Sequence, residues 1–145
     1  MIETTPDRRD MDALLDQLLV VAREMLRKQG RLAPFAAITR SDGRMALVAG
    51  TGAAQASPDE VMGMVVSGLR DQARAGDIRA CGVAYEVLMP TDLGQTTDAI
   101  AVSLEDAHGD SAMVYMPFTR GGRFGGWRFD EITVSAGQPR VFVAA

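Results

Sequence analysis

The densest chemistry in the chain lies between residues 119 and 128, which read Thr119-Arg120-Gly121-Gly122-Arg123-Phe124-Gly125-Gly126-Trp127-Arg128. Three arginines, two aromatics and four glycines in ten residues put cations and stacking faces on an easily bent backbone. Such a segment suits an anion or a flat group. The candidate ligand-binding set is therefore Arg120, Arg123, Trp127 and Arg128, joined by Tyr115 from the preceding strand. The spacing matches neither a phosphate loop nor a dinucleotide fingerprint, and a strand follows rather than a helix. The plainer reading is a flexible connection whose Phe124 and Trp127 fold back onto the sheet.

Nucleophiles and acid–base groups are sparse. His108, the one histidine, stands among Glu105, Asp106 and Asp110, a cluster able to hold a divalent cation or a general base. These neighbours are nearly consecutive, and Asp, His, Gly and Asp are also favoured at a hairpin tip, so the turn is the stronger reading. Cys81, the one cysteine, follows Arg79 closely but reads as a small buried apolar side chain. Glu86, Asp98 and Glu105 lie on neighbouring β segments, with nothing in their spacing to separate their acidities. Gly50-Thr51-Gly52 lacks the lysine of a phosphate loop and reads as a linker. No cofactor or metal site is expected.

Composition narrows the class. A chain of 145 residues with 47 % hydrophobic and 23 % charged residues predicts one globular domain over 1–145, with residues 1–6 flexible. The net charge of −4 argues against nucleic acid as a general partner. One cysteine permits no internal disulfide, which suits a reducing compartment. The acidic start lacks the pattern of a signal peptide, and no window approaches the roughly 18 apolar residues of a membrane span. A soluble, cytoplasmic protein is expected.

The elements that must position these groups follow from periodicity. A helix is predicted over 7–28, where Met11, Leu14, Leu15, Leu18, Leu19, Ala22, Met25 and Leu26 recur at spacings of three and four. Thr5 is its cap, and Val20 and Val21 widen its apolar surface. Residues 33–40 and 44–49 predict a β-hairpin across Ser41-Asp42-Gly43. Ser57-Pro58-Asp59-Glu60 carries an N-cap, a first-turn proline and a capping-box glutamate, opening a second helix that runs to Gly76. Its interior Gly63 and Gly68 imply close packing against a neighbour. Strands are predicted over 78–89, 97–106, 112–118 and 127–134, with a short last one at 140–144. The fold class is thus α+β in the order α-β-β-α-β-β-β(-β). The sheet is mainly antiparallel, with both helices packed on one face.

The leading functional expectation is a non-catalytic protein-interaction or binding module acting as a homodimer. It rests on the lack of a converging catalytic set and on apolar groups at both faces of strand 112–118. The partner is a second copy or another protein. The alternative is a sensor for a small anionic ligand, using the Arg120–Arg128 loop. A small hydrolase centred on His108 or Cys81 ranks third.

Overall fold

A computed structural model describes residues 6–48 and 57–143, with the side chains of 6–8 left aside. The Thr5 cap and the Gly50-Thr51-Gly52 linker fall outside the described residues. Helix α1 spans Pro6–Gln29. Its apolar stripe is buried at Met11, Leu14, Leu18, Leu19, Ala22 and Leu26. The helix stops at Gly30, whose φ of +75° is a left-handed conformation that glycine adopts without a side-chain clash. Of the two extra valines, Val21 packs against the core, whereas Val20 stands 51 % exposed.

Strands β1 (Phe35–Arg40) and β2 (Met45–Val48) form the predicted hairpin. Gly43 takes a φ of +93°, and the Asp42 carboxylate accepts the Arg44 N–H at 2.9 Å. Helix α2 spans Pro58–Arg74, and Ser57 caps it by accepting the Glu60 N–H at 3.2 Å. Its interior glycines depart from expectation, because a Cβ placed on Gly63 or Gly68 would meet nothing within 4 Å. Both face open space, so no close packing offsets their cost. Gly63→Ala and Gly68→Ala should each raise the unfolding free energy by about 0.5–1 kcal/mol in urea titrations. A loss of stability on either change would contradict that placement.

The rest of the chain is sheet. Strands β3 (Ile78–Pro90), β4 (Thr96–Asp106) and β5 (Ser111–Thr119) are joined by short turns and pair antiparallel. The last expected strands are rearranged. The run 127–134 is broken into β6 (Arg128–Phe129) and β7 (Thr133–Ala136), both on the outer edge of β5. The stretch 140–143 is irregular rather than a strand. The sheet order is β2-β1-β3-β4-β5-β6, with β7 also on β5. Among the described residues no helix is long and apolar enough to cross a membrane.

The α+β class and antiparallel sheet are as expected, but the helices do not share a face. Phe35, Ala37, Ala80 and Ala84 belong to the core under α1. The alternate positions Ala36, Ile38, Cys81 and Val83 pack instead with Val65 and Leu69 of α2. Successive strand residues point to opposite sides, so α1 and α2 lie on opposite sides of β1 and β3. The physical reason is in β1, whose Phe35-Ala36-Ala37-Ile38 is apolar at every position and needs cover twice.

A β-bulge completes this arrangement. Thr39 pairs Ala80 and Arg40 pairs Ile78, leaving Arg79 as the extra residue. The bulge shifts Ile78 to the α2 side and lets Arg79 reach α1. There it grips Asp10 through two hydrogen bonds of 2.8 and 3.0 Å. This fork ties the start of α1 to the sheet. Asp10→Asn should cost about 1 kcal/mol, read as a lower urea midpoint, and an unchanged midpoint would assign the fork no net stability.

Candidate functional site

The segment after β5 is a built hairpin. Gly122 and Gly125 exchange backbone hydrogen bonds of 2.7 and 3.2 Å, leaving Arg123 and Phe124 at the tip. Gly125 and Gly126 hold φ values of +113° and +88°, which an L side chain resists. A Cβ on Gly121 would lie 2.4 Å from the backbone nitrogen of Trp127, so only glycine fits there. Phe124 does not fold back. It is 98 % exposed, with the Arg123 guanidinium 5.9 Å from its ring centre.

Trp127 behaves as the plainer reading expected. It stacks with Phe118 at 6.1 Å and Phe129 at 6.5 Å between ring centres, at the margin of the α1 core. Arg27 of α1 covers the Phe129 ring at 5.1 Å. Arg120 is engaged structurally. It donates to Glu86, to Asp98 at 3.1 Å and to the Gly30 carbonyl at 2.6 Å, and it lies over the Phe118 ring. One guanidinium thereby joins the end of α1 to β3, β4 and β5, where a cation also favours the helix dipole. Arg128 is exposed and sits 3.5 Å from Asp130. Tyr115 lies between Val114 and Met116, both under α1, and so points to the opposite face. The structure therefore brings Arg120 and Trp127 to one edge and leaves Tyr115 across the sheet from them.

The candidate nucleophiles are held apart. Cys81 is buried in the α2 core, where burial first, and then the Glu105 charge, push its ionisation well above the usual thiol range. The native thiol should resist alkylation at pH 8 and react fully once denatured, and modification of the folded protein at the free-cysteine rate would overturn this. Unfolding exposes a thiol that ionises near its ordinary value of 9.0. Its contribution to stability is complete below that pH and declines as pH rises past it. Wild type should lose more stability than Cys81→Ala between about pH 8 and about pH 10.

His108 lies in the β4–β5 turn, where the Asp106 carboxylate accepts the N–H of His108 at 2.9 Å and of Asp110 at 3.0 Å. Among the described residues no three His, Cys, Asp or Glu side chains gather as a metal site.

Glu105 has a role that the spacing of carboxylates did not suggest. It is 3 % exposed and faces the α2 side, paired with Cys81. Its carboxylate accepts the N–H groups of Arg140 and Val141 at 2.9 Å and of Phe142 at 3.2 Å. Three successive amides wrapped round one anion form a backbone nest. Arg70 of α2 donates to the Arg140 carbonyl and secures the same segment. The available signal was the α2-side row of β4, Ala99-Ala101-Ser103, whose small residues end at Glu105 and leave room for chain to return.

That row also floors a surface. Ala99 and Ala101 are fully buried, flanked by half-buried Tyr85 and Val87 of β3 and Met113, Tyr115 and Pro117 of β5. Tyr85 and Met113 lean together, the hydroxyl 4.0 Å from the sulfur, and burial raises the Tyr85 ionisation. Helix α2 packs over β1 and β3, to one side of this strip.

On the α1 side a cleft of about 260 Å³ opens between the first half of α1 and the β4–β5–β7 corner. Met11, Leu15, Val114 and Val134 line it, with Asp12 and Asp110 beside them. Comparison with protein-family models, curated proteins and solved structures returns no match to this chain.

Proposed function

We propose that the protein is a non-catalytic interaction module, a homodimer that offers an apolar sheet face to a protein partner. The observation that carries this reading is the strip over β3–β5 on the α2 side. Its small floor of Ala99 and Ala101 and its walls of Val87, Met113, Tyr115 and Pro117 make a shallow, largely uncharged track. Contiguous apolar surface of this kind marks interfaces, and methionine and tyrosine adapt to varied partners. Two-fold dimers are the commonest assembly. The buried, unpaired Cys81 is compatible with a reducing compartment, so the cytoplasm is the proposed location.

Two measurements test this reading. Light scattering at high micromolar concentration should give a dimer, and a monomer of 15.5 kDa overturns that half of the reading. An environment-sensitive apolar dye should bind the native protein, and Tyr115→Lys should reduce binding severalfold without shifting the melting temperature. Failure of the dye to bind the wild type overturns the sheet face.

A further inference from the structure

We propose that two copies of this chain hold one another by the Arg123-Phe124 hairpin tip of each seating in the α1–β5 cleft of the other. The inference rests on the homodimer reading and names its contact. A mobile loop would let Phe124 collapse onto the aromatic cluster of Phe118, Trp127 and Phe129 beside it. Instead the Gly122–Gly125 bridge and the tight packing of Gly121 hold the ring out in water. The ordering cost of an anchor residue is thus met before any partner arrives, which favours binding. Aromatic and arginine anchors that become buried in a partner's pocket carry much of the binding energy at interfaces.

The cleft fits that anchor in size, lining and charge. Small-molecule sites span roughly 300–1,000 Å³. At about 260 Å³ this one falls below that range and is suited to a single aromatic side chain. Met11, Leu15, Val114 and Val134 offer apolar walls, while Asp12 and Asp110 supply negative charge. Arg123 travels with the Phe124 ring and brings the opposite charge to those aspartates. The tip cannot reach the cleft of its own chain. Ser111 at the start of β5 lines the cleft, and Thr119 at its end leads into the hairpin. Even Val114, the β5 wall nearest the hairpin, is five residues or about 17 Å of extended strand from Thr119, and the hairpin runs on beyond that end. A tip at one end and a cleft at the other allow reciprocal seating across the β6–β7 edge, which closes as a two-fold dimer.

Sedimentation equilibrium on the full chain, from low to high micromolar, tests this. Phe124→Ser should raise the dimer dissociation constant by about thirtyfold or more, with an unchanged melting temperature in dilute solution. Arg123→Glu should weaken association about tenfold, and adding Asp110→Arg to it should recover most of the loss. A wild-type dimer whose dissociation constant is unmoved by Phe124→Ser overturns this contact and leaves the homodimer standing. A wild type that stays monomeric throughout overturns both.

Discussion

Glu105→Gln should lower the free energy of unfolding by about 3 kcal/mol, and it should release residues 140–143 before the rest of the chain. The carboxylate is buried and accepts hydrogen bonds from three consecutive backbone amides. Bonds to a charged acceptor contribute about 1.5–3 kcal/mol each in mutational series. Glutamine keeps the shape but turns one oxygen into an NH₂ group, which faces donors with a donor. All three amides bond one carboxylate oxygen, so glutamine can keep them partnered, but each bond drops from a charged to a neutral acceptor at about 1 kcal/mol apiece. The NH₂ group meanwhile replaces the oxygen that also accepts from Val141. Arg70 retains its hold on the Arg140 carbonyl, so the segment loosens without losing every tether. Urea denaturation followed by circular dichroism reads the global loss. Amide exchange at Val141 reads the local release and should rise by about a hundredfold, the equivalent of about 3 kcal/mol, ahead of the α1 amides. Equal protection of Val141 in the variant and the wild type would show that the nest does not hold the segment.

Leu18→Ala should cost about 3 kcal/mol or more, and part of that loss should be recovered by enlarging Gly82. Leu18 is fully buried at the middle of the α1 stripe. A Cβ on Gly82 would lie 2.6 Å from a Leu18 methyl and 2.8 Å from a Leu104 methyl. The leucine thus fills the hollow that glycine leaves, and the missing side chain lets helix and sheet approach. Gly82→Ala alone overpacks this point, at an expected cost of about 1–2 kcal/mol. In the double variant the new methyl occupies part of the cavity left by Leu18. The two effects should then fall short of additivity by about 1 kcal/mol in a four-variant urea cycle. Strict additivity would mean that the two residues relax independently.

The candidate site was legible in part. Trp127 and Phe124 were recognisable as loop aromatics, but their fates differ for a reason no composition carries. Trp127 has Phe118 and Phe129 within stacking distance, whereas Phe124 sits on a turn closed by Gly122 and Gly125. Arg120 reads as a free cation because its partners, Glu86, Asp98 and the Gly30 carbonyl, are 22 to 90 residues away in sequence. Glu105 reads as an exposed strand carboxylate because its three donors arrive from residues 140–142, over 30 residues later. Charges that long-range contacts satisfy look available until the chain is folded.

What the chain specifies alone is local. The stripe of α1, the Ser57 cap of α2, the Asp42-Gly43 turn and the alternation of β4 and β5 depend on neighbours within a few residues. Those signals carry the element order as far as β5, and the α+β class. Tertiary structure decided what lies across from what. The all-apolar β1 and the bulge at Arg79 set the helices on opposite faces, although each amphipathic stripe reads the same for either side. The hairpin and the cleft were likewise separated only when β5 extended, with the cleft along its first half and the hairpin beyond its last residue. Periodicity within an element shows which residues seek cover, whereas the cover itself comes from segments whose distance along the chain carries no signal.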